Sequence, residues 1–321
     1  MRQRWIPGMA IALALLAAGV RQAAAEPVKA VKVTVLSTML AGDVGIGEWG
    51  FAALLEVDGR RLLIDTGDRP ETVLRNAEEL EIDLSSVTEV VLTHNHGDHT
   101  GGLLTLRREL SAKAPQALSR AHVGKGIFLS RLDADGREEN GLLPLKPAYE
   151  AGGGVFIEHE GQVRLFPGVW LTGPVPRPHP ERNWSGSRLL QTSAGPAEDT
   201  IPEDSSVVVE TTEGLVVISG CGHAGIVNTC EYARQVTGQK RILAAIGGFH
   251  LFPATDDRLD WTAGRLRKFD LGYLLGAHCT GMEAVFRIRK LANLSRETAV
   301  VGAVGSSFTL DKGLEPLSLA R

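Results

Sequence analysis

Three imidazoles and a carboxylate are packed into Thr93-His94-Asn95-His96-Gly97-Asp98-His99-Thr100-Gly101-Gly102, directly behind the apolar run Val90-Val91-Leu92. So short an apolar run reads as a buried strand. The polar residues after it read as the loop that strand delivers, with Thr100-Gly101-Gly102-Leu103 opening a helix. Imidazole and carboxylate suit zinc, iron or manganese in an open catalytic site. In an extended loop His94 and His96 share one face and serve one ion, while Asp98 and His99 come round at the turn and reach a second. A surface cluster of unrelated histidines is the alternative. The order H-x-H-x-D-H behind a buried strand favours metal.

The pattern around this loop is one of alternating strands and helices. Val31 to Leu36 alternates as a strand, Phe51 to Val57 and Arg61 to Ile64 flank the hairpin signal Asp58-Gly59, and Pro70 to Leu80 is a short amphipathic helix. Val87 to Leu92 is the strand carrying the loop, and Gly101 to Leu110 the helix behind it. This order fits half of an αββα sandwich. From about 113 to 200 the chain is rich in Gly and Pro, with only short apolar runs such as Gln162 to Phe166 and Val169 to Thr172. It reads as a variable region walling the active site. Beyond it come strands at Ser206 to Thr211, Leu215 to Ser219, Ile242 to Ile246, Leu271 to Leu275 and Ala299 to Ala303. Helices are expected near Ala224 to Val236, Asp256 to Lys268 and Met282 to Leu291. Residues 26–321 are expected to form one domain.

T-H-N-H-G-D-H-T-G-G resembles the signature of the metallo-β-lactamase fold superfamily, and Leu62-Leu63-Ile64-Asp65-Thr66-Gly67 resembles its strand-then-turn segment upstream. Ser219-Gly220-Cys221-Gly222-His223-Ala224-Gly225, Ile246-Gly247-Gly248-Phe249-His250-Leu251 and Gly276-Ala277-His278-Cys279-Thr280-Gly281 are similar to one branch. That branch is named after the dihydropterin–ribofuranosylaminobenzene-phosphate synthase. The resemblance implies an α/β fold, two mixed sheets flanked by helices, binding one or two metals at the sandwich edge. It also implies that His223 and His278, each just past an apolar strand, are the later ligands. The expected set is therefore His94, His96, Asp98, His99, His223 and His278 around two divalent ions, zinc by ligand type, with iron or manganese as alternatives. Asp98 is in addition the catalytic candidate, orienting a metal-bound hydroxide and passing a proton to the leaving group.

The sequence departs from the commoner superfamily pattern at Gly220-Cys221, where many members carry Gly-Asp with a bridging carboxylate. Cys221 either ligates through a thiolate or packs beside the site. His250, at another strand end, is a ligand, a substrate contact or a support for one. Backbone N–H groups at the helix following Gly222-His223-Ala224-Gly225 are candidates for a substrate phosphate or carboxylate. Arg177 and Glu181 lie where the branch tends to carry an Arg and a Glu, and are the substrate-binding candidates. His122, His159 and His179 have no motif context.

Arg2 and Arg4, the apolar run Met9 to Val20 and Ala23-Ala24-Ala25 make a signal peptide over residues 1–25. The run is too short for a spanning helix, so no membrane span is expected after cleavage, and the mature chain would be periplasmic or secreted. A net charge of −4 with no basic run lacks the footprint of nucleic-acid binding. Three cysteines are too few for a disulfide scaffold. The leading expectation is an exported, metal-dependent hydrolase of an ester, lactone or phosphodiester-type bond in a small molecule, anionic ones included. A synthase releasing diphosphate and a non-catalytic metal-binding protein are the alternatives. One scaffold hosts many chemistries, so fold alone does not choose among them.

Overall fold

Alternate residues of the central strands face opposite layers, and this decides how the chain stacks. Val216 and Ile218 join Val33, Val35, Leu55, Ile64 and Val91 in one buried cluster, which lies between two sheets. Their neighbours Leu215 and Val217 instead pack with Ile226, Leu259, Leu266, Val285 and Ile288 of helices. On the other side, Leu54, Leu63, Val90 and Leu92 pack with Val73, Leu103, Leu106 and Leu110 of further helices. A period-2 strand with both faces apolar must be covered on both, and the result is the αββα sandwich predicted.

The computed structural model describes residues 27–184 and 189–317. The leader expected over 1–25 lies outside them. Among the described residues, no helix is long and apolar enough to cross a membrane. The first sheet runs Gly313–Glu315, Ser307–Thr309, Val31–Ser37, Ala52–Val57, Arg60–Ile64, Glu89–Leu92, Arg120–Gly124 and Val155–His159 in spatial order. The second runs Ala299–Val301, Tyr273–Gly276, Ile242–Gly247, Gly214–Ser219, Ser206–Thr211, Val169–Leu171 and Val163–Phe166. Each is antiparallel in one half and parallel in the other. Parallel strands end on the same edge, so the loops after Ile64, Leu92, Ser219, Gly247 and Gly276 meet at one rim of the sandwich.

Several boundaries differ from the sequence reading. The helix expected at Gly101–Leu110 is two helices, Gly97–Thr100 and Leu103–Lys113, so Asp98 and His99 lie in a helical turn instead of an open loop. The helix expected from Ala224 starts at Ile226, and the last expected strand stops at Val301. Two short strands at the C-terminal end, Ser307–Thr309 and Gly313–Glu315, went unread because three residues hold too little alternation to recognise. The Gly- and Pro-rich stretch also contributes two strands to the first sheet. Arg120–Gly124 and Val155–His159 hide in sequence because polar Arg, His and Glu interrupt their apolar positions. The same stretch supplies a helix, Leu142–Ala151, and all of a three-stranded sheet of Arg131–Leu132, Leu189–Thr192 and Gly195–Glu198.

Candidate metal centre

Three of the rim loops leave their strands through a residue in the left-handed region: Asp65 (φ 55°), His250 (φ 46°) and His278 (φ 46°). A non-glycine residue there costs on the order of 1 kcal/mol or more and is kept where surrounding contacts over-determine it. Here the sharp turn swings each side chain from the strand end into the rim. Asp65 is fully buried; its Oδ1 accepts from the Thr93 N–H at 2.8 Å and its Oδ2 from the Thr93 hydroxyl at 2.8 Å. Gly220 is required by the same contact. A Cβ at that position would stand 2.2 Å from both Asp65 Oδ2 and Thr93 Oγ1.

The histidines are held by one edge and offered by the other. His99 Nδ1 is 2.7 Å from Asp65 Oδ2, and its Nε2 is 3.2 Å from Cys221 Sγ. His94 Nδ1 is 3.0 Å from Thr93 Oγ1, whose own proton is committed to Asp65, so the imidazole is the donor. His223 Nδ1 donates to the carbonyl oxygen of Asn183. Each acceptor is an oxygen with no proton to give, which places the ring hydrogen on Nδ1 and leaves Nε2 as a lone pair. The Nε2 atoms of His94 and His223 are buried without a hydrogen-bond partner. Burial first, then the neighbouring imidazoles, push His94 and His223 well below the usual histidine range, so they are neutral. Neutral, buried, unsatisfied imidazole nitrogens in one cluster are the donor set a metal ion satisfies.

The donor atoms form sets whose members lie within 4.8 Å of one another: Asp98, His99, Cys221 and His278 in one, and His94, Cys221 and His223 in another. His96 caps the short helix and brings its ring to 4.5 Å from that of His94 and 4.9 Å from that of His223. Asp98 Oδ2 lies 3.2 Å from His278 Nε2 and 3.7 Å from His99 Nε2. Burial raises the Asp98 carboxyl, but His99 and His278 more than offset it and hold it far below the ordinary carboxylate range. Burial lowers His278, yet Cys279 and Asp98 together carry it up to about 10. The negative field that keeps a proton on that ring is the field that attracts a cation. All six side chains expected from the sequence as ligands therefore lie together, and Cys221 sits where the two sets meet. Its sulfur belongs to both sets, and these imidazole, carboxylate and thiol donors fit a divalent metal.

Above the ligands is a cavity of about 380 Å³ lined by Trp49, Asp68, His96, Gly97, Asp98, Glu139, Cys221, His250, His278 and Cys279. A larger one of about 760 Å³ lies at the far end of the strands, around Val28–Lys32, Asp58-Gly59 and Thr309–Asp311, and has no histidine or cysteine in its walls. Size does not locate chemistry here; donor atoms do.

Three expectations are corrected. Arg177 and Glu181 do not line the cavity. Arg177 donates to the carbonyl of Ile201 and covers the Trp184 ring. Glu181 is buried and accepts from the N–H groups of Val227 and Asn228 at 3.2 and 2.8 Å. The helix N-terminus expected to receive a substrate anion is thus already satisfied: Glu181 takes two donors, and Asp204 Oδ2 takes that of Ala224 at 2.8 Å. A carboxylate of the chain outcompetes a ligand there because it is held in place at no translational cost. His122, His159 and His179 lie elsewhere, engaged with Glu89, with His122 and with Glu231 respectively. Conversely, Asp65, Thr93 and Asn183 hold roles that no sequence motif assigned to them. Asp65 and Thr93 stood in quoted motifs; nothing local marks Asn183, whose part is played by its backbone oxygen.

Comparison with known proteins agrees with this geometry. The family description "Metallo-beta-lactamase superfamily" matches residues 50–234, more than half of the chain. The chain is similar to the 7,8-dihydropterin-6-methyl-4-(beta-D-ribofuranosyl)-aminobenzene-5'-phosphate synthase of Methanocaldococcus jannaschii, 28% identical over 248 residues, covering 73% of this chain and 82% of that protein. Among solved structures it is similar to Tm1679, described as a metal-dependent hydrolase of the beta-lactamase superfamily. The TM-score is 0.70 at 25% identity, over 87% of this chain and 98% of that one. It also shares its fold with YhfI of Bacillus subtilis, at TM-score 0.52 and 15% identity, covering 88% and 100% of the two chains.

Proposed function

The chain belongs to the metallo-β-lactamase superfamily, and we propose that it is a metal-dependent hydrolase that cleaves an ester, lactone or phosphodiester-type bond in a small molecule. The observation that carries the reading is the convergence of seven donor side chains, three of them imidazoles with Nδ1 committed to the protein, beneath an open cavity. When bound, two divalent cations, zinc by the character of the donors, polarise the bond under attack and supply hydroxide at neutral pH. His94, His96 and His223 would hold one ion and Asp98, His99 and His278 the other, with Cys221 within reach of both sets. The protein's own part is orientation. Asp65, Thr93 and the Asn183 carbonyl fix three ring tautomers, and Asp98, ionised and open to the cavity, is placed to take a proton and return it to the leaving group.

Similarity to a synthase favours a second reading, transfer with release of diphosphate. The leader pattern of residues 1–25 supports the first, because an exported protein does not meet a cytosolic coenzyme precursor. Export, a small-molecule substrate and no nucleic-acid partner belong to this proposal. Metal analysis of the purified protein should show up to two divalent ions, reduced in His96→Ala and Asp98→Ala. Unchanged metal in both variants would refute the ligand assignment. A panel of esters, lactones and phosphodiesters, run beside the two synthase substrates, separates the readings: metal-dependent turnover of the second set alone would replace hydrolysis by transfer. N-terminal sequencing of the protein outside the cytoplasm should begin at Glu26, and an intact leader on a cytosolic protein would remove the argument for export.

A further inference from the structure

Two segments, Gly247-Gly248-Phe249-His250 and His278-Cys279-Thr280, carry side chains that the two-ion centre leaves unused: His250 and Cys279. They lie together. Cys279 Sγ is 3.2 Å from Cys221 Sγ, and Cys221, His250 and Cys279 form a third set of donor atoms within 4.8 Å of one another. All three side chains line the cavity. His250 Nδ1 is buried with no hydrogen-bond partner, while the His250 N–H donates to Cys279 Sγ at 3.3 Å. Gly248 makes the cradle possible. A Cβ there would stand 2.0 Å from the Gly220 carbonyl oxygen and 3.0 Å from Cys279 Sγ.

The sulfur–sulfur distance is informative. A disulfide is ~2.05 Å long, whereas two thiolates on one tetrahedral ion, each ~2.3 Å from it, stand roughly 3.8 Å apart. At 3.2 Å no disulfide joins the cysteines, and their sulfurs need to part by only about 0.6 Å to share an ion. Two sulfurs and an imidazole form a softer donor set than the histidine–aspartate sets beside it, and soft sulfur ligands select thiophilic metals.

We propose that Cys221, His250 and Cys279 form a further metal position, opening on the same cavity, that takes a thiophilic divalent ion such as zinc or cadmium. It shares Cys221 with the centre described above and uses none of the H-x-H-x-D-H ligands. It therefore stands whether or not the protein is a hydrolase. An ion in it draws the shared sulfur toward Cys279, so the position is one at which excess soft metal competes with the two-ion centre.

The test is cadmium titration of the reduced full chain, followed by thiolate-to-cadmium charge transfer in the ultraviolet. Wild type should develop the intensity of two thiolates, Cys279→Ala about half of it, and Cys230→Ala all of it. His250→Ala should keep the band and weaken cadmium binding by about tenfold. His96→Ala should retain the full two-thiolate band while losing metal at the histidine centre. Full intensity in Cys279→Ala, or disappearance of the band in His96→Ala, would overturn the proposal. If Cys279→Ala does not fold, the zinc absorption edge of wild type decides: two sulfur scatterers on one zinc supports the position, and at most one refutes it. A two-thiolate band in a protein that hydrolyses nothing removes the hydrolase reading and leaves this one. Full hydrolysis with an unaltered band in Cys279→Ala does the reverse.

Discussion

At the scale of single residues, the centre depends on side chains that touch no metal. The Asp65 carboxylate takes the Nδ1 hydrogen of His99 and, through the Thr93 hydroxyl, sets the tautomer of His94. Asp65→Asn keeps the size but replaces one acceptor oxygen by a donor, which faces either Thr93 or His99 with the wrong polarity. Metal affinity should fall by about 10–100-fold, as for other supports of ligating histidines. Competition with a chromogenic chelator measures it; native affinity in a folded variant would show that orientation is set elsewhere. Cys221 gives the complementary test. Cys221→Ser, a far poorer ligand, should lose metal, whereas Cys221→Asp should retain two ions by restoring the carboxylate many relatives use. Equal metal content in wild type and Cys221→Ser would mean that the sulfur only packs.

At the scale of elements, the helix Ile226–Thr237 shows how a terminus is tied to a loop. Its first N–H groups are satisfied by Glu181, 47 residues earlier than Asn228, instead of by a local cap. Burial raises the Glu181 carboxyl to about 7, against the N–H bonds of Asn228 and Val227 that favour its ionised form. The folded state therefore holds a proton that the unfolded chain releases near pH 4.5. The stability associated with this group is fully present below that pH and is lost as pH rises to about 7. Glu181→Gln lacks the titration. Wild-type stability relative to the variant should therefore fall by on the order of 3 kcal/mol between pH 4.5 and 7 and then level off. Parallel urea titrations across that range measure the difference. A constant offset would mean that Glu181 keeps an ordinary pKa.

At the scale of the whole molecule, the ligands come from both sheets: His94, His96, Asp98 and His99 from the first, Cys221, His223 and His278 from the second. A bound ion therefore ties sheet to sheet across the rim and stabilises only the assembled sandwich. With free metal at about a thousandfold its Kd, the linkage contributes about 4 kcal/mol, enough for a shift in Tm on the order of 10 °C in a chain of this size. Calorimetry with zinc and with a chelator should differ by that much and recover on adding metal back. Superimposed transitions would mean that the donors do not act together in the native state.

Much of this was legible in the chain. The buried strand ending in H-x-H-x-D-H, the later strand ends at His223 and His278, and the apolar patterns of the central strands are local features. Periodicity and residue chemistry report them directly, while the resemblance to the metallo-β-lactamase superfamily implied the full αββα class and the two later ligand candidates. Tertiary structure decided what depends on partners far apart in sequence. It committed Glu181 to a helix terminus and Arg177 to the Ile201 carbonyl, which took both away from the substrate. It gave Asn183 a role through its carbonyl oxygen and placed Cys279 against Cys221, 58 residues away. A sequence states which groups can donate, accept or ligate. Which of them meet is fixed by how the sheets twist and where the loops cross, because a hydrogen bond or a coordination bond is won by whichever group packing holds closest.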